Sequence, residues 1–141
     1  MEPSTSAWKG EISCDMLNQL NANTLGEAME IKFTEVGDDF LVATMPVNHK
    51  TKQPFGLLHG GASVALAETI GSVASWCAVN RELFIGVGVE INANHIAQVT
   101  EGMVTAVCKP VKLGGKIHIW EIRISDDNGA LCCISRFTCM I

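Results

Sequence analysis

The segment from Ala62 to Val79 constrains the fold more than any other part of the sequence, because almost all of its residues are apolar or small. It is too long for an ordinary strand, and its alanine and leucine residues favour a helix. A helix that is apolar on every face is expected to be buried on all sides. One carboxylate, Glu68, lies in the middle of this predicted helix, where burying an unpaired charge costs on the order of several kcal/mol.

The rest of the sequence predicts β-strands on both sides of that helix. Before it, "EIKFTEV" and "FLVATMPV" flank a turn at residues 37–39 and predict a hairpin. After it, four strands are predicted to form an antiparallel meander: "FIGVGVEINANHI", "GMVTAVCKPVKL", "KIHIWEIRIS" and "ALCCISRFTCMI". A strongly curved antiparallel sheet wrapped around one long central helix would bury that helix, so the predicted fold class is α+β.

Local patterns add detail to this architecture. Ser13 is a suitable N-cap for a short helix, "TLGEAM" adds a further helical turn, and Pro110 indicates a sheet edge or a bulge. His118 alternates with apolar neighbours and is expected to be a hydrogen-bonded strand residue. In the first strand after the long helix, alternation places one set of residues on one face, Val87, Val89, Ile91, Ala93 and His95, and the other set opposite, Gly88, Glu90, Asn92 and Asn94.

The composition fits one globular domain spanning residues 1–141. An apolar fraction of 48% excludes a disordered chain, and a net charge of −5 argues against nucleic-acid binding. A membrane span is the competing interpretation of the long apolar segment, but Glu68 and the many Ala, Gly and Ser residues argue against it. The polar N-terminus "MEPSTSAWKGEIS" lacks a secretory pattern, so we expect a cytoplasmic protein with reduced cysteines.

Glu68 has two interpretations. It is either a structural glutamate, paired with a cation or pointing into an exposed gap, or a carboxylate held in a poorly solvated pocket as nucleophile or general base. Ser72 follows one helical turn later on the same face, where its hydroxyl is within reach of that carboxylate or of a water molecule.

The residues His59, Gly60 and Gly61 open the predicted helix. Exposed N–H groups at a helix start, beside glycines that admit close approach, suit an oxyanion, so the Gly61 N–H is a candidate donor to a carbonyl. The alternative is an ordinary glycine-rich entry in which His59 acts as a polar cap. The sequence leaves both interpretations open.

The spacing of Gly61 and Glu68 bears on how they act together. They are seven residues apart, which is about 10 Å along a helix at ~1.5 Å per residue. One chain therefore cannot bring both within bonding distance of one carbon atom, whereas two antiparallel copies about a two-fold axis can. If both residues act on one substrate, the protein is at least a dimer.

Other candidate sites are weaker. "GASVA" is a near miss to a nucleophile elbow, but Ser63 lies inside the predicted helix without an Asp–His pattern. The four histidines have no metal-ligand spacing, so no metal site is expected. Lys109, Lys112 and Lys116 are candidates for phosphate contacts, although solvated charge is the commoner role of lysines near turns.

The stretch "QPFGLLHGGASVALAETIGS" resembles the signature of the hotdog-fold acyl-CoA thioesterases. The similar branch contains the phenylacetate-pathway, 4-hydroxybenzoyl-CoA, enterobactin-proofreading and 1,4-dihydroxy-2-naphthoyl-CoA enzymes. The resemblance covers nearly the whole chain, including "GDDFLVATMPVNHKT", "VEINANHI" and "LCCISR". It implies a hotdog fold and a homo-oligomer with active sites shared between subunits, either a dimer or a dimer of dimers that forms a homotetramer.

The resemblance also implies roles for single residues. Glu68 matches the catalytic carboxylate, which acts as nucleophile or as base for water, and Gly61 matches the residue whose N–H polarises the thioester carbonyl. Gln53 and His59 match polar side chains that orient the thioester. Ser72 matches a helix hydroxyl near the attacking water. The residues from Gln53 to Gly61 would face Glu68 and Ser72 of the partner subunit.

The positions that match coenzyme A contacts are a larger set: Gly88, His95, Ile96, Ala97, Gln98, Lys112, Leu113, Gly114, Gly115, Lys116 and Ile117. Relatives often have arginine where this chain has Ala97 and Gly115. Lys112 and Lys116 are available as point charges, but lysine lacks the bidentate fork of arginine. The sequence therefore predicts weaker coenzyme A binding, or an acyl group delivered on an acyl carrier protein.

The resemblance thus implies an enzyme that hydrolyses acyl-CoA thioesters, with a hydroxylated aromatic acyl group expected. Coenzyme A is part of the substrate, and no metal or other cofactor is expected. Two alternatives on the same fold remain: a dehydratase or hydratase, and a non-catalytic acyl-CoA-binding protein.

Overall fold

The long apolar segment forms the longest helix of the protein, whose computed structural model describes residues 6–141. In chain order the elements are α1 (Cys14–Leu20), α2 (Leu25–Ala28), β1 (Lys32–Val36), β2 (Leu41–Pro46), α3 (Gly60–Cys77), β3 (Val87–His95), β4 (Met103–Leu113), β5 (Ile117–Ser125) and β6 (Leu131–Met140). The predicted cap at Ser13 is confirmed, because its side chain accepts a hydrogen bond from the Met16 N–H. The sequence thus located every element, with shifts of a few residues at the ends.

Helix α3 begins two residues earlier than its apolar segment. His59 has extended backbone angles, and its side chain accepts a hydrogen bond from the Gly61 N–H, so Gly60 and Gly61 form the first turn. The helix ends at Cys77, and Ala78 closes it with backbone hydrogen bonds to Ala74 and Ser75. Glycine at the start therefore belongs to the helix and not to its entry.

The sheet is antiparallel with six strands in the order β1-β2-β4-β5-β6-β3. The predicted β1–β2 hairpin is confirmed, as is a bulge after Pro110. The predicted four-strand meander is wrong, because β3 pairs with β6 and not with β4. Residue alternation identifies strands but not their partners, and the link over residues 96–102 carries the chain away from β3. Strands β1 and β3 consequently form the two edges.

A β-bulge at Val89 changes which face of β3 meets α3. Gly88 is opposite Cys139 and Glu90 is opposite Thr138, so Val89 has no partner of its own in this register. The bulge turns Gly88 towards the helix, together with Ile91 and not with Glu90. The strict alternation predicted for this strand is therefore wrong before Glu90.

The core lies between one side of α3 and the concave side of the sheet. Leu66, Ile70, Trp120 and Phe137 are fully buried there, and α3 packs against β2, β3, β4, β5 and β6. The opposite side of the helix leaves Glu68 exposed. The expectation that the helix is buried on all sides is therefore wrong for a single chain, because the sheet covers only one side of it.

The aromatic ring of Phe137 is held between two glycines. A Cβ atom at Gly71 of α3 would lie 2.5 Å from Cδ1 of the ring, and one at Gly88 of β3 would lie 2.8 Å from Cε2. Real Cβ atoms do not approach so closely, so only glycine allows helix and strand to contact this ring from both sides. The position of α3 relative to β3 is set by this clamp of Gly71, Phe137 and Gly88.

A small polar cluster lies inside the core. The Ser75 Oγ accepts a hydrogen bond of 2.7 Å from Trp120 Nε1 and lies 3.3 Å from His118 Nδ1. His118 is thus a hydrogen-bonded strand residue, as predicted. Burial lowers the pKa of His118, and a backbone hydrogen bond with Gly114 opposes part of that shift.

The buried His118 predicts a loss of stability in mild acid. Its folded pKa lies below the ordinary value of about 6.5, so the unfolded chain binds the proton more readily as the pH falls below that value. Urea titration should give a lower free energy of unfolding at about pH 5.5 than at about pH 7.5, with a smaller loss in His118→Gln than in the wild type. His49→Gln, at an exposed position, is the control and should behave as wild type. Equal pH dependence in His118→Gln and wild type would contradict the prediction.

The six cysteines are free thiols. Burial raises the pKa of Cys77 to about 12 and that of Cys133 to about 11, which leaves little thiolate at neutral pH. No helix within residues 6–141 has the length and apolar character needed to cross a membrane.

Candidate active site

The start of α3 brings three of the predicted residues together. His59 Nδ1 accepts a hydrogen bond of 2.8 Å from the Gly61 N–H. Gly60 lies against the ring of His95, since a Cβ atom there would be 2.8 Å from His95 Nε2. A larger residue at position 60 would push the exposed His95 ring aside, because β3 ends beside the helix start. The cap interpretation of His59 is therefore correct for the free chain, and the Gly61 N–H that would meet a carbonyl already has a partner.

The loop before α3 is closed on itself and presents Gln53. The Gln53 N–H donates to the Leu57 carbonyl at 2.8 Å, and the His59 N–H donates to the Thr51 carbonyl at 2.8 Å. The Gln53 side-chain oxygen accepts a hydrogen bond from the Phe55 N–H. Leu58 ties the loop to the body of the protein through the Val99 carbonyl. Gln53 is thus held in place by backbone hydrogen bonds on both sides.

A cleft of about 400 Å³ lies between this loop, the start of α3 and the end of β3. We call it the Gln53 cleft. It is lined by Gln53, Leu57, Leu58, Gly60, Ser63, His95, Ile96, Ala97, Gln98, Val99 and Cys132. Five residues predicted from the sequence therefore share one cleft: Gln53 and the run from His95 to Gln98.

Glu68 and Ser72 line a different cleft of about 310 Å³, between α3 and the N-terminal helices. We call it the Glu68 cleft. Its lining residues are Leu17, Leu20, Asn21, Thr24, Leu25, Gly26, Glu68, Thr69, Ser72 and Val73. The predicted pairing of Glu68 and Ser72 on one helix face is therefore observed. The expected burial of Glu68 is not, because its side chain is exposed in the single chain.

Gly88 lies directly beside the carboxylate. A Cβ atom at this position would be 2.9 Å from Glu68 Oε1. The bulge at Val89 is what turns this glycine towards Glu68. Gly88 belongs to the positions matched to coenzyme A contacts, and in this structure its neighbour is the carboxylate itself.

The remaining coenzyme A positions lie far from the Gln53 cleft. The segment of residues 112–117, around the β4–β5 turn, lies at the same end of the sheet as the start of β3. Ile117 pairs with Met140 of β6, and Met140 pairs with Val87 of β3. The run from His95 to Gln98 lies at the other end of that strand, about 25 Å away at ~3.3 Å per residue. One chain therefore separates the predicted coenzyme A positions into two groups. Lys112 and Lys116 are both exposed.

The structure also adds two residues that the sequence did not single out, Leu20 and Leu25, which line the Glu68 cleft. Gly60 and Ser63, considered from the sequence only as part of the helix start and of the near-miss elbow, line the Gln53 cleft. Ser63 lies inside α3, as expected when the elbow interpretation was set aside. Leu20 and Leu25 are large apolar residues of the two short helices, and the sequence alone does not show which apolar residues of such short helices stay exposed. Within residues 6–141, no cluster of His, Cys, Asp and Glu side chains has a metal-binding arrangement.

The family follows from comparison with known proteins. Residues 55–133 match the thioesterase superfamily. The chain is 51% identical over 134 residues to the 1,4-dihydroxy-2-naphthoyl-CoA hydrolase of Escherichia coli, covering 95% of this chain and 98% of that protein. The chain belongs to the thioesterase superfamily.

Other relatives agree with this assignment. The thioesterase is 48% identical over 131 residues to the proofreading thioesterase EntH of Cronobacter turicensis, covering 93% of this chain and 95% of that protein. A mutant thioesterase of Pseudomonas aeruginosa has a TM-score of 0.94 at 44% identity, covering 96% of this chain and 97% of that one. A Haemophilus influenzae thioesterase has a TM-score of 0.92 at 46% identity, covering 95% of this chain and 93% of that one. The predicted hotdog fold is confirmed, and the protein is a thioester hydrolase.

Proposed function

We propose that this thioesterase hydrolyses aromatic or hydroxyaroyl thioesters of coenzyme A to the free acid and coenzyme A. The observation that carries the proposal is the Glu68 carboxylate, which lies with Ser72 at the mouth of a largely apolar cleft on a thioesterase helix. The E. coli relative supports the acyl class, because its name states a hydroxylated bicyclic aroyl group.

In the proposed reaction, water is the co-substrate. Glu68 attacks the thioester carbon or takes a proton from the attacking water, and the Ser72 hydroxyl holds that carboxylate or water. The Gly61 N–H holds the negative charge that develops on the carbonyl oxygen. The carbon–sulfur bond then breaks, and the thiolate leaves and is protonated by solvent. If Glu68 is the nucleophile, water then hydrolyses the acyl–Glu68 anhydride and restores the carboxylate. On either route water supplies the new oxygen of the acid and no electrons are transferred, so the proposal includes no metal or redox cofactor.

The Gly61 N–H has to change partner for this role. In the free chain it donates to His59 Nδ1 at 2.8 Å. We infer that the thioester carbonyl displaces or shares this bond. The released imidazole of His59 is then free to orient the thioester together with Gln53. The exchange replaces one hydrogen bond by another, so its net cost is small.

The proposed active site needs two subunits. Gly61 lies in the first turn of α3 and Glu68 follows seven residues later, and the Gln53 and Glu68 clefts are distinct in one chain. Strand β3 is an open edge with exposed Val87 and Val89, which suits pairing with the same strand of a second copy. In the proposed dimer, Gln53, His59 and Gly61 of one subunit face Glu68 and Ser72 of the other. Two such dimers would form the homotetramer.

The thiol that leaves could belong to an acyl carrier protein instead of coenzyme A. Ala97 and Gly115 supply no charge for the nucleotide phosphates of coenzyme A. An acyl carrier protein presents the same phosphopantetheine thioester without that nucleotide, so it would not need those contacts. In either case the six free cysteines suit the reducing cytoplasm that we propose as its location.

The function is tested by following thiol release from benzoyl-CoA, 4-hydroxybenzoyl-CoA and a straight-chain series, together with acyl carrier protein thioesters. We expect the highest kcat/KM for an aromatic coenzyme A ester. Activity confined to carrier-protein thioesters would replace the coenzyme A proposal. Tight binding of acyl-CoA with no hydrolysis of any thioester would indicate the non-catalytic alternative.

A double variant tests the proposed phosphate contacts. Replacing Lys112 and Lys116 by Ala should raise the KM for an acyl-CoA by roughly tenfold, and should leave the KM for the matching pantetheine thioester unchanged, since that substrate lacks the nucleotide phosphates. Lys32→Ala removes an exposed lysine on β1 and is the matched control. An equal rise in KM for both substrates would show that these lysines do not bind the nucleotide phosphates.

A further inference from the structure

Two leucines of the N-terminal helices face the Glu68 cleft without being part of the core. Leu20 of α1 is 47% exposed and Leu25 of α2 is 64% exposed, whereas Leu17, on the same helix as Leu20, is fully buried. All three line the cleft that holds Glu68 and Ser72. Leu17 therefore serves packing, while Leu20 and Leu25 offer apolar surface to whatever occupies the cleft.

The N-terminal helix α1 is fixed to the sheet by hydrogen bonds. The Asn18 side chain donates to the Phe33 carbonyl at 3.0 Å and accepts from the Phe33 N–H at 2.8 Å. The Asn21 side chain donates to the Ile31 carbonyl at 2.9 Å and is itself buried. An amide that satisfies both groups of a strand residue holds its helix at a defined distance from that strand. Leu20, which lies between these two amides in the sequence, therefore has a fixed backbone.

Helix α2 is fixed in turn against α1. A Cβ atom at Gly26 would lie 2.1 Å from Asn21 Oδ1, so only glycine fits at this contact. The Thr24 hydroxyl donates to the Asn21 carbonyl at 2.6 Å, and the Ile31 N–H donates to the Gly26 carbonyl at 2.8 Å. The position of Leu25 between these contacts is consequently set before any ligand binds. The wall formed by Leu20 and Leu25 is preformed.

We propose that Leu20 and Leu25 form the outer wall of the acyl-binding pocket and restrict the acyl group to a compact one, such as one aromatic ring or two fused rings. This inference rests on the proposed role of Glu68, because the acyl group must lie beside the carboxylate that acts on its carbonyl carbon. Val73 provides an apolar surface on α3, and besides Glu68 the polar groups of that helix that line the cleft are the hydroxyls of Thr69 and Ser72.

The size and lining of the cleft favour a ring over an extended chain. One chain supplies a cleft of about 310 Å³, at the small end of the roughly 300–1,000 Å³ that ligand pockets span, and the proposed partner subunit would cover its open side. Apolar walls contribute to binding in proportion to the apolar area they cover. The Thr24 hydroxyl already donates to a backbone carbonyl and Ser72 is assigned to the carboxylate or the water, which leaves the Thr69 hydroxyl to meet a polar substituent on the ring. A long alkyl chain would have to displace Leu20 or Leu25 to continue.

Binding to a Glu68→Gln background tests the wall directly. The dissociation constants of benzoyl-CoA and octanoyl-CoA are measured by calorimetry for Glu68→Gln and for the same protein with Leu20→Ala and Leu25→Ala. With the wall removed, the affinity for octanoyl-CoA relative to that for benzoyl-CoA should rise at least about tenfold. Tenfold is the lower value for a change of this size in an apolar pocket. Leu25→Trp, whose larger side chain fills the cleft, should lower the affinity for benzoyl-CoA by a similar factor.

Matched variants exclude an effect on folding. Leu83→Ala removes the same side chain from a residue that is 71% exposed and lies outside the cleft, and it should keep the parent ratio. Leu25→Met conserves volume and should also keep it. The proposal is overturned if the alanine variants keep the parent ratio, if Leu83→Ala shifts it equally, or if neither acyl-CoA binds to the parent. Because the readout is binding, hydrolysis that survives in Glu68→Gln would reject the proposed catalytic role separately.

Discussion

Glu68→Gln is expected to hydrolyse thioesters at least ~100-fold more slowly than the wild type, the low end for loss of a positioned base. Glutamine keeps the size of the side chain, so its contacts beside Gly88 and in the Glu68 cleft remain. It cannot attack as an anion or accept a proton from water. The free energy of unfolding should change little, since the side chain is exposed in the single chain.

Turnover and affinity should separate in this variant. The kcat should fall while the dissociation constant for acyl-CoA stays within a few-fold of the wild-type value, as expected for an interaction made mainly in the transition state. Glu82→Gln, an exposed glutamate after α3, is the control and should keep full activity. Near-normal turnover of Glu68→Gln would remove the carboxylate from the chemistry.

Mixing two inactive proteins should restore activity if the site is shared between subunits. Glu68→Ala and His59→Ala each damage one half of the proposed site. In a mixed dimer, one site carries both substitutions and the other carries neither. Random exchange of equal amounts makes about half of the dimers mixed, so roughly a quarter of the wild-type activity should return.

The result depends on subunits actually exchanging. Mass spectrometry of differently tagged copies establishes the fraction of mixed dimers, and the regained activity should rise in proportion to it. A mixture of Glu68→Ala with Ser72→Ala is the control, because both substitutions damage the same half and no intact site can form. Exchange without recovered activity would mean that each site is built from one subunit.

Much of the fold was available from the sequence because it depends on local patterns. The length and composition of the segment from Ala62 to Val79 predicted α3, and alternation predicted every strand. The placement of β3 was not available. Its partner β6 is far along the chain, and pairing over such a separation depends on the packing of the whole sheet.

Part of the candidate site was predictable for a similar reason. Helical spacing places Glu68 and Ser72 on one face, and it separates both from Gly61. The bond from the Gly61 N–H to His59 Nδ1 depends on a side-chain rotamer, so the sequence left the cap and oxyanion interpretations equally open. The orientation of Gly88 depends on one extra residue in β3. An irregularity of that kind leaves no mark on residue alternation.

The clamp of Gly71, Phe137 and Gly88 has a consequence for engineering this protein. Phe137 belongs to the core, yet Gly88 on one side of it is also a neighbour of the catalytic candidate. A Cβ atom at Gly88 would lie 2.9 Å from Glu68 Oε1. Substitutions selected for heat resistance commonly fill space around buried rings, but no such space exists at Gly71 or Gly88, where an added Cβ atom would collide with Phe137. A library screened for thermal tolerance alone should therefore keep glycine at both positions, and it would preserve the surroundings of the carboxylate without any selection for turnover.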